Sequence, residues 1–373
     1  MIEILHNKLY YPILKGKKGE FAALKECPQP IKESMIPLIE LLDYTPTQLS
    51  EEQLAKRKKP VRTYDDHLSS EIKQIIAAWQ ESGMPIFIDT HLVPIELLAG
   101  TGRIALIFES LYDAGIMAIP VIHTSYDPRI SNEYKSIIDE YQTGFCLRLN
   151  TNDTEDEEIA DVIEHLLNRY QQLPGQIDLL IDNRYVTEDI IARTARLLAT
   201  TINDLPHLAE WRSLVLASAA FPVDLSNHKP DSTTRIPRSD WALWQKLLSK
   251  SLERMPNFGD YAIAHPEIRD IGNVIPNMSA SLRYTADKEF IIVKGRGVKH
   301  NGFGQTHALS QKIVSLPEYS GEHFSPGDNW IKRCALNRTT PGNSTTWRQA
   351  ATSHHLHKVI EQLASLAAAL RAA

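Results

Sequence analysis

The sequence predicts a single α/β barrel of the (β/α)8, TIM-type class. Eight short apolar runs rich in β-branched residues alternate with amphipathic stretches, a pattern typical of parallel strands buried on both faces. No glycine-rich GxGxxG turn follows the first run, which disfavours a dinucleotide-binding open sheet. Eight units in 373 residues fit one closed barrel with decorations, and we predict one domain over residues 1–373.

The strands and helices can be assigned in chain order. The predicted strands are "LYYPILKG" (9–16), "MIPLIELL" (35–42), "PIFIDT" (85–90), "AIPVIHTS" (118–125), "GFCLRLN" (144–150), "IDLLIDN" (177–183), "SLVLASAAF" (213–221) and "DYAIAHP" (260–266). The stretches between them, such as "SSEIKQIIAAWQESG" and "EEIADVIEHLLNRYQQL", carry apolar residues at three- and four-residue spacing, which indicates helices. The first unit is the shortest, since its helix has only "GKKGEFAALKE" available.

The pattern changes after the eighth strand. Residues 279–297 read as a β-hairpin that turns near Ala286 to Lys288, and a segment rich in Gly, Pro, Ser and Asn follows. We predict that residues 272–345 form an insertion between strand 8 and helix 8 that decorates the C-terminal face of the barrel. The last helix is predicted to begin with Ser353 as its N-cap and to end near Leu370.

Composition excludes several classes of protein. The formal net charge of −6 argues against a dominant nucleic-acid-binding surface, so a nucleic-acid partner is not expected. Cys27, Cys146 and Cys334 match no metal-ligand spacing, which indicates a reduced intracellular chain. No signal peptide and no apolar run of membrane-spanning length occurs, so we expect a cytoplasmic protein without membrane contacts.

Charged residues stand at the predicted C-terminal ends of the strands, where barrel enzymes carry their active sites. Glu40, Asp89 and Asp182 share a face with apolar residues two positions earlier, so they are predicted to point inward as candidate catalytic carboxylates, with Lys15 and Arg148 as ligand-binding cations. Two interpretations stay open. The set forms either a polar pocket for acid/base or metal chemistry, or a buried salt-bridge network that closes the barrel.

The stretch "SHHLH" places three histidines at the start of the predicted last helix. His354 and His357 would lie near one face of the first turn, and His355 would point elsewhere. The stretch is no HExxH motif and holds no carboxylate, so we assign no metal ligands and no cofactor to it. Because a helix that follows a barrel strand begins at the mouth, we predict His355 as a catalytic residue there.

Three arginines and a tyrosine complete the predicted ligand-binding set. Arg348 precedes the histidines, and the hairpin carries Arg283, Tyr284 and Arg296. Together the arginines could bind an anion near a helix N-terminus. The alternative, that they form structural or exposed ion pairs, stays open at this point.

Several motifs of the chain occur together in one known family. They are "YYPILKGKKGEFAAL", "IPLIEL", "RIPRSDWALW", "FGDYAIAHP", "LRYT" with "KGRG", "FSPGDNWI" and "GNSTTWRQAATSHH". Over nearly its whole length the chain resembles the phage-associated beta protein family. The resemblance implies a place in phages, satellite prophages and bacterial antiviral defence cassettes, where a satellite-phage member looks like the antagonist of a co-encoded killer protein. It supplies no established catalytic residues.

Three functional hypotheses follow. The first is an antitoxin-like or regulatory barrel that acts in phage defence with a co-encoded defence or toxin protein, as the family resemblance implies. The second is a barrel enzyme, hydrolase or phosphodiesterase-like, that acts on a phosphate- or nucleotide-bearing substrate through the charged strand ends. The third, a nucleic-acid-binding module, is disfavoured by the acidic balance.

Overall fold

A computed structural model describes residues 9–44, 61–268 and 278–372, and within them eight parallel strands form a closed barrel. The barrel strands are β1 (Tyr11–Leu14), β2 (Leu38–Glu40), β3 (Ile86–Asp89), β4 (Ala118–His123), β5 (Phe145–Asn150), β6 (Ile177–Tyr185), β7 (Ser213–Ala219) and β9 (Asn257–Asp260). Each strand pairs with the next, and β9 returns to β1 with Gly259 opposite Tyr11. The predicted (β/α)8 barrel is confirmed.

The helices of the described residues are α1 (Lys18–Glu26), α2 (Gln29–Lys32), α3 (Tyr64–Trp79), α4 (Ile95–Leu98), α5 (Arg103–Asp113), α6 (Pro128–Tyr141), α7 (Thr151–Thr154), α8 (Ile159–Tyr170), α9 (Ile191–Asp204), α10 (Ser239–Leu247), α11 (Val298–Asn301), α12 (Thr306–Val314), α13 (Pro326–Ala335) and α14 (Ser344–Ala372). Most helices follow the barrel strands and pack around them, while α11, α12 and α13 follow the last strand of a smaller sheet. No helix among the described residues is both long and apolar enough to cross a membrane.

The two faces of each strand bury apolar side chains in different layers. Ile13, Phe87 and Leu180 point into the barrel and form its inner core. Their neighbours along the strands, such as Ile88 and Ile181, pack outward against the helices. Because successive side chains of a strand alternate between faces, this double burial explains the near-continuous apolar runs of the sequence.

The eighth barrel strand differs from its predicted position. It spans Asn257–Asp260, whereas the sequence predicted residues 260–266. Asn257 pairs with Val215 and Gly259 with Ala217, so the register with β7 is set by a polar residue and a glycine. The prediction was wrong because an apolar criterion favours "YAIA" over "NFGD", although the chain turns out of the barrel after Asp260.

A second, three-stranded antiparallel sheet lies beside the barrel. It consists of β8 (Ser232–Pro237), β10 (Ser279–Thr285) and β11 (Glu289–Gly297), in the order β10-β11-β8. Strands β10 and β11 are the predicted hairpin, which closes where Ala286 N donates to Glu289 O at 2.8 Å. The sequence analysis missed β8 because its residues are polar and alternate between partly buried and exposed, as in an edge strand.

This sheet covers part of the C-terminal end of the barrel. Phe290 and Ile292 on one face pack against Phe221 and Ile263, which follow β7 and β9. The opposite face packs against α12, α13 and the first turns of α14. The predicted insertion, 272–345, begins outside the described residues, and its predicted boundaries stay a prediction.

The last helix begins earlier than predicted. It starts at Ser344, and Asn343 Oδ1 accepts hydrogen bonds from Thr345 N at 2.9 Å and Thr346 N at 3.3 Å, as an N-cap does. Ser353 therefore lies in the interior of α14, where its hydroxyl accepts a hydrogen bond from Gly327 N at 3.2 Å. The predicted N-cap at Ser353 is wrong, and the histidines after it do not occupy a first turn.

Candidate functional site

Five of the predicted site residues meet in one layer at the C-terminal end of the barrel. Lys15, Glu40, Asp89, Arg148 and Asp182 all point inward, and each is 2% exposed or less. The guanidinium of Arg148 lies at the centre and donates to Glu40 at 2.9 Å, to Asp89 at 2.7 Å and to Asp182 at 2.7 Å. Lys15 Nζ donates to Glu40 Oε2 at 2.8 Å. We call this set the central network.

Tyr261 completes the central network from the turn after β9. Its hydroxyl accepts a hydrogen bond from Arg148 Nη2 at 2.6 Å and donates to Asp182 Oδ2 at 2.6 Å. Burial alone would raise the pKa of Asp182, but the charge of Arg148 and the Tyr261 hydrogen bond hold that pKa below its ordinary value. Asp182 is therefore ionised at neutral pH, as its ion pair with Arg148 requires.

The central network closes the barrel rather than opening a pocket. Every one of its charged groups has a partner of opposite charge, and none is accessible to solvent. Of the two interpretations that the sequence left open, the buried salt-bridge network therefore describes these five side chains. The central network contains three carboxylates and two cations, so its formal charge is −1. The chemically accessible groups lie on the rim around this network.

One side of the rim carries two histidines that the predicted site omitted. His91 follows β3 and His123 ends β4, and both contact Asp89: His91 Nδ1 lies 3.0 Å from Oδ1 and His123 Nε2 lies 3.0 Å from Oδ2. The histidines are 22% and 16% exposed, in contrast to the central network. The available signal was the Asp-Thr-His sequence at the end of one strand beside a histidine at the end of the next.

A cavity of about 640 Å³ opens beside these histidines. Its walls come from the loops after β3 and β4, and its lining includes His91, Pro94, His123, Tyr126 and Asn150. The loops after barrel strands are where TIM-type barrels bind their ligands. We call Asp89, His91 and His123 the histidine rim.

Another part of the rim is basic. Arg348 Nη1 donates to Glu20 Oε1 at 3.1 Å, and the other oxygen of Glu20 accepts hydrogen bonds from the backbone nitrogens of Lys15 and Lys17. Arg283 donates to Ile263 O at 2.6 Å. Among the described residues no carboxylate forms an ion pair with Arg283 or Lys17. We call Lys17, Arg283 and Arg348 the basic rim.

The basic rim depresses the pKa values of its own members. Burial, together with repulsion from Arg348, lowers the pKa of Lys17 to about 8 and the pKa of Arg283 to about 9. The guanidinium of Arg283 also lies 4.5 Å from the centroid of the Phe221 ring, a cation–π contact that holds it in place. These are cations held in a partly desolvated place without enough negative charge to compensate them.

Two predicted ligand-binding residues do not reach the mouth. Tyr284 follows Arg283 in β10 and so points to the opposite face of the sheet, where its hydroxyl donates to Asp328 at 2.9 Å. Arg296 is 64% exposed and donates to Asp231 at 2.6 Å. Both assignments are corrected: Tyr284 belongs to the core of the small sheet, and Arg296 belongs to the surface.

His355 also lies away from the mouth. It is fully buried between α14 and the barrel, where its Nε2 lies 2.9 Å from Asp260 Oδ2 and its Nδ1 lies 2.9 Å from Thr285 Oγ1. Asp260 faces outward from the barrel and also accepts a hydrogen bond from the hydroxyl of Tyr10. The placement of His355 at the mouth is corrected, because α14 begins at Ser344 and buries the whole "SHHLH" stretch.

A family model described as Beta protein matches residues 10–361. No curated protein sequence matches the chain.

Solved structures similar to the chain include two tryptophan synthase alpha-subunits from the hyperthermophile Pyrococcus furiosus, one of them a mutant. Each is 12% identical; they cover 68% and 69% of this chain and 86% and 89% of their own, with TM-scores of 0.40 and 0.38. The YdjI aldolase from Escherichia coli K12 is 8% identical, with 96% of this chain and 91% of that chain covered and a TM-score of 0.35. At these identities the similarity concerns the fold alone.

Proposed function

The chain belongs to the Beta protein family, and from that premise we propose that it is a phage-defence component which binds a phosphate-bearing anion at the barrel mouth and acts with a co-encoded protein. One observation supports the proposed anionic ligand. Among the described residues, the three cations Lys17, Arg283 and Arg348 of the basic rim face a single carboxylate, Glu20. The defence role and the partner rest on the family resemblance.

The chemistry of the basic rim favours phosphate over other anions. Guanidinium groups present several N–H donors in a plane that matches the oxygens of a phosphate. Arg283 uses one nitrogen for Ile263 O, and Arg348 uses one for Glu20, which leaves further donors on both. Partly buried cations without counter-charge are costly, and a bound dianion would offset that cost.

The loop geometry supports the same ligand. Lys17 is the N-cap residue of α1, and Gly16, at φ +57°, turns the chain so that Lys15 enters the central network while Lys17 reaches the rim. The positive φ favours glycine at this turn, and a Cβ at Gly16 would lie 3.1 Å from the backbone oxygen of Glu40. The N-terminus of α1 adds a favourable dipole for an anion beside Lys17.

Co-expression with genomic neighbours tests the cellular part of the proposal. The chain would be expressed with each neighbouring gene product, and cell survival under phage challenge or toxin expression would be measured together with affinity capture. We expect one neighbour to co-purify and survival to require both proteins. The double variant Lys17→Ala, Arg348→Ala is expected to lose protection, whereas the control Arg296→Ala keeps it. Survival that is independent of every neighbour would contradict the proposed partnership.

A second candidate is a hydrolase or phosphodiesterase-like enzyme that acts on a phosphate- or nucleotide-bearing substrate. The histidine rim favours it, because His91 and His123 line the 640 Å³ cavity and are partly exposed, while the buried Asp89 contacts both of them. Incubation of the pure chain with nucleotides and phosphodiesters, followed by chromatography of the products, tests this candidate. We expect the wild type to convert at least one substrate, His123→Ala to lose this activity and His323→Ala to keep it. If none of the nucleotides or phosphodiesters is converted, these compounds are excluded as substrates.

A further inference from the structure

We infer that Asp89, His91 and His123 form a binding site for one divalent first-row transition-metal ion of the Zn²⁺ class. The inference uses only the histidine rim and does not depend on the proposed binding of phosphate by the basic rim. The three residues can each direct one ligand atom to a common point, since these atoms lie within 4.8 Å of one another.

The barrel topology brings the three ligands to one level. β3 and β4 are paired in parallel, with Ile88 opposite Pro120, so the ends of both strands lie side by side. His91 follows Asp89 by two positions, and the backbone nitrogen of His91 donates to Asp89 Oδ1 at 2.9 Å. This Asx-type turn fixes the loop and aims both side chains at His123.

The interatomic distances suit a shared ion. A tetrahedral ion with bonds of about 2.0–2.2 Å holds its ligand atoms roughly 3.3–3.6 Å apart. His91 Nδ1 lies 3.0 Å and His123 Nε2 lies 3.1 Å from the same carboxylate oxygen, Asp89 Oδ1. His91 Nδ1 is also buried without a hydrogen-bond partner, since its approach to Asp89 lacks hydrogen-bond geometry. A metal ion would satisfy this nitrogen, and a small outward movement of the ligands would accommodate the ion.

The central network supplies the outer contacts that metal ligands require. Arg148 Nη1 donates to Asp89 Oδ2 at 2.7 Å and so fixes the orientation of that carboxylate, while Oδ1, which accepts the His91 backbone N–H, keeps a second lone pair for the ion. His91 Nε2 faces Glu40 Oε1 at 3.8 Å, which places a carboxylate behind the imidazole. A histidine that binds metal through one nitrogen commonly directs its other N–H to a carboxylate, which orients the ring and raises its basicity.

Charge and ligand type identify the class of ion. The central network carries one formal negative charge, so a divalent cation with neutral histidines would leave a single positive charge, which a bound hydroxide or an anionic ligand could neutralise. Two imidazole nitrogens and one carboxylate oxygen favour Zn²⁺, Co²⁺, Mn²⁺ or Fe²⁺ over Mg²⁺ and Ca²⁺, which prefer oxygen ligands. Three protein ligands beside an open cavity leave a coordination position for water or substrate.

Equilibrium dialysis against Zn²⁺, with metal content measured by atomic emission, tests the inference on the full chain. After removal of metal with a chelator, the wild-type chain is expected to retain about one equivalent of Zn²⁺ at micromolar free concentration. His91→Ala and His123→Ala are each expected to weaken this binding at least tenfold. His300→Ala, a substitution at an exposed histidine on α11, serves as the matched control and is expected to bind as the wild type does.

Thermal unfolding provides the second readout. Zn²⁺ is expected to raise the Tm of the wild type and of His300→Ala, but not that of His91→Ala. His91 lies in a loop and is 22% exposed, so we expect His91→Ala to fold. This variant therefore tests the inference even if His123→Ala does not fold. The inference is overturned if the wild type does not retain Zn²⁺, or if His91→Ala and His123→Ala both retain as much Zn²⁺ as the wild type. Pyrophosphate binding by the metal-free chain is measured separately, so failure of one proposal is distinguishable from failure of the other.

Discussion

Arg148 Nη2 lies 2.9 Å from Glu40 Oε1 and thereby joins β5 to β2, two strands that are not neighbours in the barrel. The same guanidinium contacts Asp89 on β3 and Asp182 on β6. One buried cation therefore links four of the eight strands at the C-terminal end. Removal of one partner from a buried ion pair commonly costs about 3–5 kcal/mol, because it leaves an uncompensated buried charge.

Arg148→Met is accordingly expected to destabilise the chain by about 3–5 kcal/mol or to prevent folding, because three buried carboxylates lose their shared counter-charge. Urea unfolding followed by circular dichroism measures the loss. Arg235→Ala is the matched control: Arg235 also pairs with two carboxylates, but it is 40% exposed, so the expected cost is under about 1 kcal/mol. Equal losses in the two variants would contradict the role assigned to Arg148.

Anion binding at the basic rim is expected to depend on pH. Lys17, with a pKa of about 8, is cationic at pH 7 and loses its charge as the pH rises through this value, whereas the guanidinium of Arg283 stays protonated although its pKa is also lowered. Affinity for sulfate, whose charge is constant in this range, is therefore expected to fall between pH 7 and pH 10. Since a bound anion raises the pKa of Lys17, binding near pH 8.5 is expected to take up protons.

Titration calorimetry in two buffers of different ionisation enthalpy measures this proton uptake. Arg296→Ala is expected to reproduce the wild-type profile, because Arg296 lies on the surface and is ion-paired to Asp231. A sulfate affinity that stays constant from pH 7 to pH 10 would rule out Lys17 as the titrating ligand.

Asp240 is expected to make the chain less stable as the pH rises. Burial, reinforced by the charge of Asp260, raises the pKa of Asp240 to about 7, whereas the ordinary value is 3.8; Arg238 lowers it only in part. Between about pH 4 and pH 7 the folded chain thus keeps a proton that the unfolded chain has released, so this group lowers the free energy of unfolding as the pH rises. Above pH 7 both states are deprotonated and the contribution is constant.

Asp240→Asn removes this slope because the amide does not titrate. Relative to the wild type, the variant is expected to gain up to about 1.4 kcal/mol per pH unit between pH 5 and pH 7, and nothing further above pH 7. Urea unfolding of both proteins at pH 5, 6, 7 and 8 provides the comparison. A difference in stability that is the same at all four pH values would show that Asp240 keeps an ordinary pKa.

His355 is expected to contribute to stability and not to ligand binding. It pairs with Asp260 in the layer between α14 and the barrel, so His355→Ala leaves a fully buried carboxylate with one partner fewer. We expect a loss of about 1–3 kcal/mol in the free energy of unfolding. Anion affinity of the folded variant, measured by calorimetry, should equal that of the wild type. If the folded His355→Ala chain binds pyrophosphate more weakly than the wild type, His355 contributes to anion binding and the prediction is wrong.

The sequence predicted what depends on simple periodicity. Alternation of apolar runs and helices identified the barrel, and strand parity placed Glu40, Asp89 and Asp182 on its inner face. Arg148 pairs with Leu180 on β6, two positions before Asp182, and its long inward side chain spans that difference. These predictions succeeded because a parallel barrel makes side-chain direction a function of position along each strand.

What the sequence did not predict depends on tertiary contacts. β8 has no apolar signal, since only its pairing with β11 makes it a strand. Ser353 looks like an N-cap, but Asn343 caps the helix earlier and packing buries Ser353. His91 lies in a loop, where parity gives no direction, and only the turn formed with Asp89 aims it at the cavity.

Calorimetric titration of the metal-free chain with pyrophosphate at pH 7 and low salt tests the central claim most directly. The account predicts saturable binding at one site, an affinity at least about tenfold lower in Arg348→Ala because a charge-assisted contact is lost, and an unchanged affinity in Arg296→Ala. Absence of saturable binding, or equal affinity in all three proteins, would contradict the claim that the barrel mouth is an anion site.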